Sequence, residues 1–352
     1  MDNLTHSLFG WTIARAGLGR RVPHATATLI VASNLPDIDI VAGLRDGIDY
    51  LAVHRGPTHG PLGVVGLGLL TATVISVSRR VGSRQARSSA DDRGGRHFAS
   101  WWGLATIGIV CHVLMDLPTS YGTRLLSPFA WTWYALDWMP IIDVFLWLAL
   151  IAGLIAGSRI GRRRAALMAL GLMAVDYSAR AMLHHGALTN GASFSAAGVH
   201  ASCSSAPTLV AHSGGAAAHD TGPEICIEAA ALPTFFTPFT WRVIRQHSNG
   251  YEVSDRRVFG QPTTIRSAWL ASDGAEVERV RGTRPAQVYL DFARFPVGEL
   301  VARTPSFTTV RLSDARFVTM PLNVRDASAS ARLSVVVTVD AAGRVVDQPV
   351  RP

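Results

Sequence analysis

The sequence predicts a mainly α-helical, multi-span membrane bundle with a small C-terminal β-rich domain, and three observations carry that prediction. Of 352 residues, 48% are apolar and only 16% charged, with mean hydropathy +0.23; an average soluble domain is roughly a quarter charged. That balance excludes a disordered chain and an ordinary surface-rich soluble one. The long apolar runs are confined to the first half, whereas the second half carries short β-branched and aromatic stretches broken by Gly, Pro, Asp and Ser, the pattern of strands.

Taken in chain order, residues 7–16 and 24–34 show short helical patterns. Neither crosses a hydrocarbon core of about 30 Å alone, so they are expected as a half-embedded hairpin against the spanning helices. Residues 61–78, 101–118 and 140–158 are long and apolar enough to span. A fourth stretch, 165–183, contains Asp176 and Arg180, whose i, i+4 spacing lets them neutralise each other on one helix face. Residues 186–223 are rich in Ala, Ser, Gly and His, a linker composition. Beyond them, residues 250–259, 287–292, 307–312 and 332–339 read as strands. The chain therefore divides into a helical membrane domain (1–185), a flexible linker (186–223) and a soluble β-rich domain (224–352).

The formal charge is +8, and every basic residue other than His is Arg. Arg79, Arg80, Arg84, Arg87, Arg93 and Arg96 follow the first span, and Arg159, Arg162, Arg163 and Arg164 follow the third, which makes those two loops cytoplasmic by the positive-inside rule. By parity the segments before residue 61, between 117 and 139, and after 183 face outward, where Trp131, Trp133 and Trp138 form an interfacial belt. The C-terminal domain is then extracytoplasmic. The 79–96 loop lacks interleaved aromatics, so the expectation is contact with membrane lipid and no nucleic-acid partner. The N-terminus lacks the cationic n-region and long apolar core of a cleavable signal and is kept as mature sequence. Cys111 lies in an apolar run; Cys203 and Cys226 either pair in an oxidising compartment or stay as free thiols.

Metal-ligand residue types cluster in the first 145 positions. Thr5-His6 opens the initial helix. In Asn34-Leu35-Pro36-Asp37-Ile38-Asp39 two carboxylates are separated by one residue after a helix-stopping Pro, so an extended backbone turns both to one side. His54-Arg55-Gly56-Pro57-Thr58-His59-Gly60 stands directly before the first span. His112 and Asp116 are four apart near the end of a spanning helix, one turn apart on one face, a costly pair in hydrocarbon unless paired or functional. Imidazole plus carboxylate at that spacing suits Zn²⁺ or a similar ion. Asp137 and Asp143 flank the next span, where helix capping is an equal explanation. Under the arginine-derived orientation all these groups fall at the outward ends of their helices. His6, His59 and His112 with Asp37, Asp39 and Asp116 are ligands enough for one metal ion with spare groups, or for two. Arg55 or Arg124 would neutralise an anionic substrate.

These stretches, with His112-Val113-Leu114-Met115-Asp116-Leu117-Pro118-Thr119-Ser120-Tyr121-Gly122-Thr123-Arg124 and Asp2-Asn3-Leu4-Thr5-His6-Ser7, resemble the LexA-binding, inner-membrane-associated metal-dependent hydrolases of bacteria, the YdjM- and YbcI-like proteins. Their ligand order is also similar, more distantly, to that of zinc-dependent phospholipase C. Gly60 departs from the pattern, which usually has Ser after Thr-His. The resemblance implies the bacterial inner membrane and hydrolase activity.

The expectation is a metal-dependent hydrolase acting on a phosphoester or other ester, in reach of lipid, at the outer face. Its metal ligands are His6, Asp37, Asp39, His59, His112 and Asp116, binding Zn, Mn or Fe as one or two ions. His54, Arg55 and Asp143 are catalytic candidates for orientation, substrate charge or proton transfer. The alternative is a non-catalytic membrane protein whose metal site is structural and which binds a partner in a stress response.

Overall fold

The computed structural model describes all residues except 84–93, 193–209, 213–226, 249, 260–262, 273, 319–332, 348–349 and 352. In chain order the helices are α1 (Asn3–Ala16), α2 (Ala25–Ala32), a 3-10 helix (Leu35–Leu44), α3 (Gly47–Val53), α4 (Pro61–Ser83), α5 (Gly94–Asp116), α6 (Val144–Ile160) and α7 (Arg162–Ala192). Two compact units form: residues 1–39, 55–135 and 139–180 make the first, and residues 40–54, 136–138 and 181–352 the second.

The first unit is a helical bundle. Asp2 caps α1 by accepting the Thr5 N–H at 3.0 Å, and Gly17, at φ 118°, closes its C-terminal end. The buried α1–α2–α5 seam holds Ile13, Ala25, Leu29 and Leu104, then Ala32, Ala105 and Ile109. Small residues let these backbones approach closely. At Gly10 a Cβ would stand 2.9 Å from the Leu29 carbonyl oxygen, so α1 and α2 meet at this distance only because no side chain is there.

Among the described residues three helices are long and apolar enough to cross a membrane, 61–79 in α4, 97–116 in α5 and 162–189 in α7, and α2 with the 3-10 helix, bent by 44°, passes the same test as a pair. Leu69, Leu70, Val74 and Val77 of α4 and Leu167, Met168, Leu172 and Val175 of α7 are exposed, an outward apolar surface of the kind lipid covers. The expected span at 140–158 is shorter than predicted. Asp143 accepts the Phe145 and Leu146 N–H groups at 2.8 and 3.0 Å, so α6 starts at Val144. Its 17 residues reach about 25 Å at 1.5 Å per residue. In α7 the Asp176–Arg180 pair forms as the spacing predicted, at 3.4 Å, and Arg180 also pairs with Asp143.

The second unit is built on antiparallel sheets. After two short strands, β1 (Trp133–Ala135, in the first unit) and β2 (Val210–His212), the meander β3 (Glu228–Pro233), β4 (Thr240–His247), β5 (Gly250–Arg257) and β6 (Thr263–Ala271) forms one sheet. The β4–β5 register sets Ile244 opposite Val253. Helices α8 (Gly274–Arg281) and α9 (Arg284–Phe292) follow. A second sheet has the order β10-β9-β8-β7, from β7 (Pro296–Arg303), β8 (Phe307–Asp314), β9 (Ser334–Asp340) and β10 (Val345–Asp347), with β11 (Val350–Arg351) also on β9. One core takes Ile244, Tyr251, Val253 and Leu270 from the first sheet and Val297 from the second, with Phe295 between them.

Three of the four predicted strand regions fall on β5, β8 and β9, but residues 287–292 are helical. Thr283 caps Ala286, Pro285 fits the first turn, and Ala286, Tyr289 and Leu290 are buried. That i, i+3, i+4 spacing is the helical period that short apolar runs conceal. Helix α7 continues to Ala192, across the position where the linker was expected to begin, because Ala187 and Leu188 pack against Trp241 and Val243. Cys203 and Cys226 lie outside the described residues; Cys111 is a free, half-buried thiol.

Candidate metal centre

The start of the 3-10 helix, the turn before α4 and the end of α5, all in the first unit, bring four side chains to one point. Asp37 enters from the start of the 3-10 helix, where Pro36 follows the end of α2. His59 comes from the turn before α4, whose shape is set by Arg55 at φ 51° and by His59 and Gly60 N–H bonds to the Gly56 carbonyl at 2.9 and 3.1 Å. His112 and Asp116 come from the last turns of α5. One ligand atom from each of the four lies within 4.8 Å of all the others.

The separations are those of a group that could hold a metal ion. His59 Nε2 and His112 Nε2 are 3.2 Å apart. Asp116 Oδ2 is 3.5 Å from His59 Nε2 and 3.4 Å from His112 Nε2, and Asp37 Oδ1 is 3.7 and 3.5 Å from the same two atoms. A tetrahedral ion with N and O ligands at 2.0–2.2 Å has ligand-to-ligand edges of about 3.3–3.6 Å. Those five edges fit such an ion, while most are too long for good hydrogen bonds.

The far side of each imidazole fixes its ligand nitrogen. His112 Nδ1 donates to the Ser33 carbonyl at 2.7 Å, which leaves the Nε2 lone pair turned to the cluster. His59 Nδ1 lies 3.0 Å from Thr58 Oγ1, and Thr58 Oγ1 donates to Asp39 Oδ2 at 3.3 Å. Asp39 Oδ2 also accepts the Arg55 N–H at 2.8 Å and is 3.8 Å from His59 Nδ1. Asp39 thus stands behind His59, outside the group of four.

His6 is fully buried and stacks on His112 with centroids 3.9 Å apart. Its Nε2 is 3.4 Å from Asp116 Oδ1, and neither ring nitrogen has a hydrogen-bond partner among the described residues. Burial, then the nearby His112, the N-terminal ammonium and Arg55, hold its pKa well below the ordinary value, so it is neutral and ligand-competent at pH 7. Asp116 is fully buried and also receives the Met1 amine and Arg55 Nη2, the latter at 3.3 Å. The Asp37 side chain, at 18% exposure against 0% for the other three, marks the open side.

Over residues 1–187, just over half of the chain, the sequence matches the model of the family described as YdjM inner membrane protein. The chain belongs to this family. All four clustered residues lie within the matched range. The chain is also similar to an uncharacterised protein, YfhP, of Bacillus subtilis (strain 168), at 27% identity over 164 residues, which is 44% of this chain and 45% of that protein. The chain thus spans less than half the length of that curated relative. No solved structure matches it.

In this YdjM-family chain Arg55 stands beside the cluster, on Asp116, and the other predicted groups lie outside it. Arg55 is buried, donating from Nη1 to Thr119 Oγ1 at 3.1 Å and to the Gly122 carbonyl at 3.2 Å, with its guanidinium over the Tyr121 ring. His54 belongs to the second unit and stacks on Tyr50 at 4.4 Å. Arg124 is buried against Trp133, 4.2 Å from the ring centroid, and Trp131 at 5.0 Å. Asp143 caps α6 and pairs with Arg180. The structure explains Gly60: a Cβ there would stand 1.8 Å from the Ser127 carbonyl oxygen. The Ser33 carbonyl and the Thr58 bridge are the parts that sequence reasoning missed. Thr58 lay inside a quoted motif beside His59; a backbone carbonyl leaves no signal in a sequence.

Proposed function

We propose that this chain is a membrane-bound, metal-dependent hydrolase of a phosphoester or other ester, with Asp37, His59, His112 and Asp116 as its metal ligands and His6 as a further group beside them. The observation that carries the reading is the set of five ligand-to-ligand separations between 3.2 and 3.7 Å. The ligand chemistry supports catalysis, because structural zinc sites are dominated by Cys whereas His and carboxylate sets are typical of hydrolytic ones. A divalent ion held there supplies Lewis acidity toward an ester oxygen and acidifies water at neutral pH.

The chain's own residues supply the rest. Thr58 and Asp39 orient His59, and the Ser33 carbonyl orients His112. Arg55 places a positive charge beside Asp116, where it favours an anionic substrate. Asp37 is the half-exposed edge by which a substrate reaches the buried three. The cluster stands at the end of α5 and just before α4, at one end of two candidate spans, so a lipid ester is within its reach. The arginine distribution of the sequence supports the outer face of the inner membrane.

The second reading, a structural site in a partner-binding protein, is favoured by one specific observation: four protein ligands suffice to close a tetrahedron. Cobalt-loaded protein separates the two. In a hydrolase, inorganic phosphate shifts the visible spectrum and the protein hydrolyses members of a panel of phosphodiesters, phosphomonoesters and carboxyl esters, with activity lost in His59→Ala. A phosphate-insensitive spectrum together with no turnover on that panel leaves the structural reading.

A further inference from the structure

Between α2 and α4 of the first unit runs an apolar groove of about 580 Å³, separate from the metal cluster. Val31, Leu35, Leu70 and Val74 line it, and His24 and Arg79 complete the lining. Of its three lining hydroxyls, those of Thr28, Thr71 and Ser78, two are turned to their own helices: Thr28 donates to the His24 carbonyl at 3.0 Å and Thr71 to the Leu67 carbonyl at 2.8 Å.

The basic residues share one end. Trp101 ties that end together, its indole N–H donating to the Pro23 carbonyl at 2.9 Å while its ring carries the Arg79 guanidinium at 5.3 Å. His24 is exposed and sits at φ 58°, a left-handed conformation that costs a residue with a side chain energy. It precedes α2 without giving a side-chain cap. From Leu70 to Arg79 the groove follows α4 for about 14 Å, half of a hydrocarbon core of about 30 Å. Because α4 is a candidate membrane span, lipid is the available occupant.

We infer that this groove is a binding site for an anionic phospholipid, one acyl chain lying between α2 and α4 and the phosphate held by Arg79 and His24. The charge at one end and the apolar length behind it match an anionic amphiphile, and basic pockets between membrane helices are known to take such head groups. The site is independent of the hydrolase reading.

The test uses full-length protein reconstituted with equimolar phosphatidylglycerol and phosphatidylcholine, re-extracted in mild detergent and weighed intact by native mass spectrometry. One phosphatidylglycerol per chain is expected to be retained in preference to phosphatidylcholine. The double variant His24→Gln, Arg79→Gln is expected to lower that preference about ten-fold, and Val74→Trp to expel both lipids. Equal retention of the two lipids by the wild type, or retention unchanged in the double variant, overturns the proposal. Should a variant fail to fold, phosphatidylglycerol with a photoreactive acyl chain decides it on the wild type: labels on α2 and α4 residues of the groove support the site, and labels elsewhere overturn it.

Discussion

His59 and His112 face each other through their Nε2 atoms at 3.2 Å, and the His112 Nδ1 proton is already committed to the Ser33 carbonyl. A neutral His112 therefore turns a lone pair, not a proton, toward its neighbour. With two carboxylates converging on the same point, the arrangement concentrates electron pairs in a buried place, a group that could hold a metal ion.

The Thr58–Asp39 bridge behind His59 should tune affinity without setting stoichiometry. Thr58→Val and Asp39→Asn are expected to weaken metal binding by about 10–100-fold, measured by chelator competition, while saturation at high metal still reaches the wild-type content. Loss of stoichiometry in Asp39→Asn would make Asp39 itself a ligand.

Asp143 is expected to act on stability. It is fully buried, caps α6 and pairs with Arg180, so Asp143→Ala leaves a buried guanidinium short of a partner at a cost of about 3–5 kcal/mol. The expected result is a clearly lower Tm in detergent with metal content preserved. Equal stability with abolished activity would restore a catalytic role to Asp143.

Gly60→Ala tests the tight turn beside His59. The added Cβ meets the Ser127 backbone, which cannot rotate away as a side chain would, and overpacking costs about 1–3 kcal/mol even where neighbours yield. A lower Tm and weaker metal retention are expected together, since the displaced turn carries His59.

Alkaline pH should destabilise the second unit through Tyr251. Its pKa is raised, first by burial and then by the charges of Asp314 and Glu228. The unfolded chain ionises this phenol near pH 10 while the folded one does not, so stability is lost as pH rises above about 10. The Tyr251 hydroxyl donates to the Pro296 carbonyl at 2.9 Å. Tyr251→Phe is therefore expected to cost about 1 kcal/mol at neutral pH and to flatten the alkaline fall, measured by chemical denaturation across pH.

The membrane helices and the His112–Asp116 pair were legible because hydropathy and i, i+4 spacing are local signals. So was the Asp176–Arg180 pair. Residues 287–292 were misread because a six-residue stretch with four apolar positions does not distinguish periods of 2 and 3.6; the decisive Thr283 cap and Pro285 lay outside it. Asp39 was grouped with Asp37 on the expectation of an extended backbone, but the 3-10 helix there turns the two carboxylates apart, one into the cluster and one behind His59. The pairing of Asp143 with Arg180 left no local signal because the two are 37 positions apart in sequence.

Metal content is the most direct test of whether Asp37, His59, His112 and Asp116 hold a divalent ion. Detergent-purified protein, offered Zn²⁺, Mn²⁺ or Fe²⁺ and then desalted, is expected to carry at least one tightly bound ion per chain. His112→Ala and Asp116→Ala should lose that ion while eluting as folded protein in size-exclusion chromatography. Wild-type protein that retains no ion, or variants that keep the same content, would contradict the account.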